Sequence, residues 1–281
     1  MFDVGGTGVK YATLGERGEM LTPPRTFPSP SLKRAEEVFS CFADVISSDV
    51  SDIAMAWPGP FDYGRGISLM TGLGKYQSIY GLDVGEGIRR ALKRDDLDIR
   101  FDHDVAVFLK GYVREESLAD ARLLALAIGT GAGSAFCVNG RCVGSEEMGV
   151  PENGWIYSMP FRDAAIEDWI SSKGIRRLSL KYFKAEKDGR ELYEMAALGD
   201  EKAMALWLEF GAIIREGIMP FIRSFMPTDI VFGGMISKAW NYFSPGFIDD
   251  FREKGVRTHV TFESDRYVFS GLYTLFGERN G

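Results

Sequence analysis

Apolar positions along this chain follow two rhythms. Short apolar runs that end at glycine or proline alternate with longer stretches in which apolar side chains recur every three or four residues. Met1 and Phe2 are a very short apolar lead into Asp3-Val4-Gly5-Gly6, and Tyr11–Leu14, followed by Gly15 to Gly18, reads as a second strand and a turn. Thr22 to Pro30 is proline-rich and predicts a surface connection. Ser31–Ser48 carries Leu32, Ala35, Val38, Phe39, Phe42, Val45 and Ile46 at helical steps, which predicts an amphipathic helix with Ser31 as its N-cap. Ile53–Trp57 predicts a buried strand stopped by Pro58-Gly59-Pro60. Leu82–Lys93 predicts a helix, Ile99–Phe101 a short strand, and Asp104–Arg114 a helix with Val107, Phe108, Gly111 and Tyr112 facing inward.

The second half restarts the pattern. Arg122–Ile128 predicts a strand that runs into Gly129-Thr130-Gly131-Ala132-Gly133, and Ser134–Val138 with Arg141–Val143 predicts a hairpin about Asn139-Gly140. Ala164–Phe183 and Glu191–Phe225 read as largely helical, with Pro220 expected to kink or break the second. Asp229–Phe232 predicts a strand entering Gly233-Gly234, and Arg266–Gly277 a closing helix. Strand, glycine-rich turn and strand thus occur twice, over 3–14 and 124–138, which hints at two related lobes. Alternating strands and helices place the chain in the α/β class.

Composition narrows the function classes. At 281 residues the chain is long enough for two lobes. Apolar residues are 45% and charged residues 26%, ordinary for a globular protein. No apolar run approaches a membrane span, and no signal-type leader opens the chain, so a cytoplasmic protein without a membrane role is expected. The net charge of −7, spread along the chain, argues against a nucleic-acid partner. Cys41, Cys137 and Cys142 are odd in number and lack C-x-x-C spacing, which fits reduced thiols and no zinc site. Cys137 and Cys142 are expected as strand residues, not as a disulfide. His103 and His259 are too few for a histidine-rich metal site.

The chemistry-bearing stretch is Asp3-Val4-Gly5-Gly6-Thr7-Gly8-Val9-Lys10. Paired glycines let a strand turn sharply, and the exposed N–H groups of such a turn accept phosphate oxygens. Thr7 adds a hydroxyl donor and Lys10 a positive charge, while Asp3 is placed to hold Mg²⁺ through water. An ordinary Gly-Gly hairpin would look the same, so partners further along must decide. Two further glycine turns follow strands, at Gly129-Thr130-Gly131 and Gly233-Gly234, with Asp104 after a strand in between.

This combination resembles the ROK family (repressors, open reading frames, kinases) of sugar kinases, within the actin/hexokinase-like superfamily, from Asp3 to about Gly271. The resemblance implies that Gly5, Gly6, Thr7 and Lys10 face the donor phosphates, that Gly129, Thr130 and Gly131 form a second phosphate loop, and that Gly233, Gly234 and Ser237 belong to an adenosine loop. The family places its base in an Asn-Asp-Ala segment. Here Phe101-Asp102-His103-Asp104-Val105-Ala106 puts Asp104 at the base and His103 at the sugar-binding Asn, with Asp102 one residue out of register. Glu147-Met148-Gly149-Val150 falls where the family has Glu-Ile-Gly-His, so Glu147 would accept sugar hydroxyls and Val150 would lack the histidine's contact. Ile166-Glu167-Asp168-Trp169-Ile170-Ser171 resembles Leu-Glu-x-Tyr-x-Ser, making Glu167 a second sugar contact. Gly59, and Gly72 within Thr71-Gly72-Leu73-Gly74-Lys75-Tyr76, lie in regions with a proline-glycine turn and an Asn-Leu-bearing loop in the family. Trp57, Tyr76, Tyr80 and Trp155 are expected mainly in the core. Pro151 to Tyr157 replaces the cysteine-rich zinc loop of many members, so zinc is not expected. The spacing is nearest the zinc-less polyphosphate/ATP glucokinase branch, and no helix-turn-helix precedes Asp3.

The fold expected from this resemblance is two-lobed and actin-like (ribonuclease H-like), with an interlobe cleft. An N-terminal lobe of 1–116 would be completed by 265–281, and 117–264 would form the second lobe. The implied activity is transfer of the γ-phosphate of ATP, with Mg²⁺, to a hydroxyl of a hexose or related sugar, Asp104 acting as general base. A catalytically weak sugar- or nucleotide-sensing protein and a polyphosphate-dependent glucokinase are the rival readings. A homodimer is implied by the resemblance alone.

Overall fold

The computed structural model describes residues 1–72 and 74–277. Leu73, within the loop named above, and residues 278–281 lie outside the described set. The chain divides into two compact units, one made of Met1–Glu116 and the chain from Asp265 onward, the other of Ser117–Ser264.

In the first unit the strands are β1 (Phe2–Val4), β2 (Gly8–Tyr11), β3 (Arg25–Pro28), β4 (Asp52–Trp57), the small hairpin β5 (Phe61–Asp62) and β6 (Ile67–Ser68), and β7 (Asp98–His103). Helix α1 (Ala35–Ala43) precedes β4, α2 (Val84–Leu92) precedes β7, and α3 (Asp104–Glu115) follows it. The second unit holds β8 (Arg122–Ile128), β9 (Ala132–Val138), β10 (Arg141–Val143), the short pair β11 (Pro160–Phe161) and β12 (Ala164–Ala165), then α4 (Ile166–Trp169), α5 (Ser172–Phe183), α6 (Gly189–Ala197) and α7 (Glu201–Ser224). It closes with β13 (Asp229–Gly233), α8 (Trp240–Phe243), α9 (Ile248–Glu253) and β14 (Arg257–Val260). Helix α10 (Ser264–Tyr273) then returns the chain to the first unit.

Both sheets share one topology. The strand orders are β3-β2-β1-β4-β7 and β10-β9-β8-β13-β14. In each, a three-strand antiparallel meander is extended by two parallel strands. The parallel additions need crossovers long enough to contain helices, and these helices cover the sheets. The twice-repeated strand–turn–strand pattern in the sequence therefore marks equivalent places in two like sheets. Trp57, at the end of β4, is wholly buried among Tyr76, Phe61 and Phe42, with ring centroids 5.3, 5.5 and 5.6 Å away. The second core gathers Trp207 and Phe210 of α7 with Phe232, Phe243 and Phe247. Trp57 and Tyr76 are core residues, whereas Tyr80 is exposed and Trp155 half-buried.

Several local expectations change. Ser31 does not cap α1. Its carbonyl accepts from the Tyr76 N–H at 2.6 Å, so the chain is still turning there. The helix starts at Ala35, where the Glu37 carboxylate accepts the Arg34 N–H at 3.0 Å. Thr22 to Pro30 is not only a connection, because Arg25–Pro28 pairs with β2 as the outer strand, the position at which a proline's missing N–H costs no ladder bond. The second strand spans Gly8–Tyr11 rather than Tyr11–Leu14, since the turn closes within Gly5 to Gly8 through a Gly5 N–H to Gly8 O bond of 3.0 Å. Pro220 does not break α7. Burial of Ile218, Phe221 and Ile222 around it outweighs one lost backbone hydrogen bond. Cys137 and Cys142 share a rung of β9 and β10 without a disulfide. Among the described residues, no helix is long and apolar enough to cross a membrane.

Helices α3 and α10 meet at two glycines. A Cβ on Gly111 would lie 1.8 Å from the Tyr267 carbonyl oxygen, and one on Gly271 would lie 1.9 Å from the Val107 oxygen. The backbones touch because neither carries a side chain. Gly111→Ala is expected to lower unfolding free energy by about 3 kcal/mol, at the upper end for overpacking because backbone has to move. Urea denaturation of the two proteins measures it, and a loss below about 1 kcal/mol would contradict the close approach.

Candidate active site

The first unit assembles its chemistry at the C-terminal ends of three parallel strands. Asp3 on β1 is level with Ala56 on β4, and Ala56 with Asp102 on β7. With strands about 4.8 Å apart, Asp3 and Asp102 stand about 10 Å from each other. His103 ends β7 at the N-cap position of α3, without a side-chain capping bond, and Asp104 is the first residue of that helix. A carboxylate there is favoured by the helix dipole. Its Oδ1 accepts the Val105 N–H at 2.8 Å and lies 3.2 Å from His103 Nε2, with 40% of the side chain exposed. Asp102 is differently engaged. It accepts the His103 N–H at 2.7 Å and pairs with Lys110 Nζ at 2.5 Å.

Gly5, Gly6 and Thr7 form the turn between β1 and β2, with Gly6 and Thr7 exposed. A Cβ on Gly6 would meet nothing within 4 Å, so the backbone there is open to a ligand. The turn is thus both a glycine hairpin and an open backbone surface. Ser29 and Ser31 support it, the first donating its N–H to the Thr7 oxygen at 3.1 Å. The Ser29 hydroxyl lies 2.9 Å from the Tyr76 hydroxyl, which ties the loop bearing Gly72 to the same region. Gly72 is exposed with φ +70°, its N–H held by Gln77 Oε1 at 2.9 Å. Gly59 lies two residues past the end of β4 and precedes a cis proline.

Lys10 lies opposite Asp3 on β2, and its ammonium pairs with Asp265 of α10 at 2.5 Å. Asp265 is a residue that sequence reading missed, 255 positions away with no local signal. Burial pushes the Asp3 carboxyl up to about 7, the Asp104 carboxylate adds to this, and Lys10 opposes it. Two carboxyl groups therefore influence each other while the Lys10 ammonium is paired with a third. That excess of negative charge fits a divalent cation, and Mg²⁺ characteristically takes one or two carboxylates and completes its shell with water and phosphate. Among the described residues, no group of three or more His, Cys, Asp or Glu is disposed to hold a metal by itself.

The second unit gathers glycine turns at the corresponding strand ends. Gly129, Thr130 and Gly131 join β8 to β9, and the Gly129 N–H closes on the Gly131 oxygen at 2.9 Å. On the neighbouring β13, Gly233 is level with Ala127, so Gly234 leaves the sheet at the same edge. Gly234 has φ +87°, and a Cβ there would lie 2.4 Å from the Ile128 oxygen. Only glycine lets the two turns touch. Ser237 does not face a ligand surface. It is wholly buried, and its hydroxyl donates to the Gly233 oxygen at 2.8 Å, bracing the turn.

A cavity of about 360 Å³ elsewhere is lined by Arg65, Arg89 and Arg100 of the first unit. The cavity beside the glycine turns is larger, about 560 Å³. Gly129, Thr130 and Ser172 line it together with the charged Asp188, Arg190, Glu194 and Lys238, and Trp207, Ile236, Ala239 and Tyr193 supply apolar surface. Trp207 Nε1 is buried without a hydrogen-bond partner. Trp207 and Tyr193 carried no motif in the sequence, since they come from helices α7 and α6.

Glu147 is not brought to this edge. It pairs with Arg122 Nη2 at 3.1 Å, and Arg122 begins β8, about 20 Å of strand from Gly129. The same Glu-x-Gly spacing recurs at Glu152-Asn153-Gly154-Trp155, and this stretch is held toward the turn. Ser134, three residues past Gly131, donates its hydroxyl to the Gly154 oxygen at 2.6 Å and accepts the Ile156 N–H at 3.0 Å. That recurrence, five residues on, was the available signal. Glu167 does reach the turn. Its Oε2 lies 3.4 Å from the Ala132 N–H, and its Oε1 pairs with Lys173 at 2.9 Å.

Known proteins share this fold. An N-acetyl-D-glucosamine kinase of Haemophilus influenzae is 25% identical over 264 residues, which cover 84% of this chain and 83% of that protein. The crystal structure of a putative sugar kinase from Cytophaga hutchinsonii superposes with a TM-score of 0.78 at 19% identity, covering 98% of each chain. A ROK family glucokinase from Streptomyces griseus, solved with glucose and AMPPNP, gives 0.75 at 15% identity, covering 98% of this chain and 97% of that one. The ROK family model matches residues 2–253, and with two like sheets each ending in a glycine turn, this chain belongs to the ROK family.

Proposed function

We propose that the protein is a sugar kinase that transfers the γ-phosphate of ATP to a hydroxyl of a hexose or related sugar. The observation that carries this reading is Asp104, half-exposed at the same strand ends as the open Gly5–Thr7 turn and near enough to press the Asp3 carboxyl upward. A sugar hydroxyl attacks well only as its proton leaves, and Asp104 is the carboxylate positioned to receive that proton. Asp102, tied to Lys110, is not. His103 Nε2 lies beside Asp104 and would orient it and contact the sugar, in the place of the family's asparagine. Gly59 and Gly72 would approach the sugar from their loops, and Glu152 would take the contact first given to Glu147, with Trp155 where the family has its histidine.

In the first unit the open backbone of Gly5, Gly6 and Thr7, and in the second the turn of Gly129, Thr130 and Gly131, would each accept phosphate oxygens. Asp3 would hold Mg²⁺ through water. That ion, when bound, neutralises charge on the transferring phosphoryl group. The nucleoside would enter the cavity beside Gly129 and Gly234. An indole and two aliphatic side chains on its wall suit a base, and a bare polyphosphate would have no use for them, which favours ATP as donor. A cytoplasmic location and a homodimer accompany this reading as expectations of the family.

Coupled ADP release over a panel including glucose and N-acetyl-D-glucosamine tests the proposal, with ATP or polyphosphate as donor. Sugar-dependent turnover with ATP is expected. A rate no higher with any sugar than without sugar would refute the kinase reading, and turnover with polyphosphate alone would refute the donor.

A further inference from the structure

Away from its glycine turn, the first unit holds a cavity of about 360 Å³ at β7, the outer strand of its sheet. Three arginines line it: Arg65 from the turn of the β5–β6 hairpin, Arg89 from α2 and Arg100 from β7. On a chain of net charge −7, three cations around one small space are not a general property of the surface. The carboxylates at hand are already engaged. Asp83, the one carboxylate among the described lining residues, caps α2 by accepting the Glu86 N–H at 2.9 Å. Asp98 accepts from Arg100 Nη2 at 2.7 Å, and Arg100 Nη1 donates to the Leu275 oxygen at 2.6 Å, which fixes that guanidinium in place. Asp62 accepts the Arg65 backbone N–H at 3.0 Å. Among the described residues no carboxylate pairs with the side chains of Arg65 or Arg89, whereas Arg90, Arg94 and Arg100 are each paired. Arg89 is aimed by its Nε, which donates to the Leu97 oxygen at 3.0 Å. A Cβ on Gly85 would lie 3.5 Å from Arg89 Nη1 and 3.3 Å from Asp83 Oδ1, so glycine there leaves room beside the guanidinium at the first turn of α2.

We propose that this cavity binds a phosphate group, as the free anion or as the head of a small phosphoester, through Arg65 and Arg89 with Arg100 as a fixed third cation. The inference is independent of the kinase reading, and neither needs the other. Guanidinium groups remain charged at every working pH, and their planar forks match phosphate oxygens two at a time. Even with Asp98 set against Arg100, the lining keeps two cations, Arg65 and Arg89, to the single carboxylate of Asp83. Like charges around one concave space repel, and an anion among them removes that repulsion. The first turn of α2, which reaches the cavity at Gly85, adds the partial positive charge of a helix start. Asp83 sets the limit of the site. Its carboxylate repels an anion brought against it, so the phosphate belongs on the side of the two arginines and any remainder of the ligand on the side of Asp83, which can accept a hydroxyl.

Calorimetric titration of the full-length protein with glycerol 3-phosphate, inorganic phosphate and glycerol, at one fixed ionic strength, tests this. Glycerol 3-phosphate is expected to bind and glycerol not. Arg65→Ala is expected to weaken glycerol 3-phosphate about tenfold, as for loss of one charge-assisted hydrogen bond. Arg65→Lys should recover part of that loss, since it keeps the charge without the fork. Arg89→Ala should weaken binding at least as much, and its urea midpoint reads the lost bond to Leu97 separately. Arg65 carries no such bond among the described residues, so its variant tests the site without a folding defect. Tighter binding of glycerol 3-phosphate than of inorganic phosphate would assign the site to a phosphoester, and equal binding of the two to the free anion. Phosphate bound alike by wild type, Arg65→Ala and Arg89→Ala would place it elsewhere, the glycine turns included, and overturn the proposal. So would a wild-type protein that binds neither phosphate compound, or one that binds glycerol as well as its phosphate. Sugar-dependent ADP release is measured apart from all of these, so failure here leaves the kinase reading standing.

Discussion

Asp104→Asn is expected to lower the kcat of sugar-dependent ADP release by about 10²- to 10⁴-fold, the contribution typical of a positioned general base. The KM for ATP should move little, because the role proposed for Asp104 is toward the acceptor hydroxyl and not the donor. Folding should survive. The side chain is 40% exposed, and asparagine can still accept the Val105 N–H that Asp104 accepts at 2.8 Å. What is lost is the carboxylate's favourable place at the start of α3, about 0.3 to 1 kcal/mol. Asp102→Asn is the contrasting variant. Its carboxylate is bound to Lys110 at 2.5 Å and to the His103 N–H, so its loss should lower stability while kcat stays within a few-fold. The reverse pattern, with Asp104→Asn active and Asp102→Asn dead, would transfer the base to the neighbouring carboxylate and break the proposed mechanism.

The second large effect concerns Asp3 and pH. In the unfolded chain an aspartate releases its proton near 3.8, whereas in the fold Asp3 keeps it to about 7, because burial and then the Asp104 carboxylate disfavour its charge. Between these values the folded state binds more protons than the unfolded one. Stability contributed by this group therefore falls as pH rises from about 4 to 7 and stays low above that. The full swing is up to about 4 kcal/mol. Asp3→Asn, which carries no charge at any pH, should match the wild type in acid and exceed its stability at pH 8 in metal-free buffer. Urea midpoints at pH 5 and pH 8 for both proteins measure this. Parallel pH dependences would show that the Asp3 site does not strain the fold. The same substitution should abolish Mg²⁺-dependent turnover, so the gain in stability comes with a loss of activity.

How far the site could be read in advance varies from residue to residue. The glycine turns at Gly5, Gly129 and Gly234 are legible because their constraint is local. A strand that must reverse within three or four residues, or touch another backbone as Gly234 touches Ile128, leaves few residue choices. Asp104 is legible for the same reason, being fixed by the strand that ends beside it and the helix that it begins. Glu147 misled because two Glu-x-Gly stretches lie five residues apart and sequence spacing carries no depth. Only pairing with Arg122 at the far end of β8 separates it from Glu152. Ser31 looked like a cap by residue type, but a hydrogen bond from Tyr76 to its carbonyl holds the chain in a turn there.

By itself the sequence determined the α/β class, most of the strands, the three glycine turns and the candidate base. All of these follow from periodicity and from backbone angles that a few residue types allow. Tertiary structure alone decided which charges meet: Lys10 with Asp265, Arg122 with Glu147, and Lys173 with Glu167 over Gly131. It also decided that Trp207 lines the cavity beside Gly129 and that α3 and α10 touch at two glycines. The physical reason is that charge pairing and backbone contact depend on distance in space. Positions as far apart as 10 and 265 acquire that distance only once the helices have packed on their sheets.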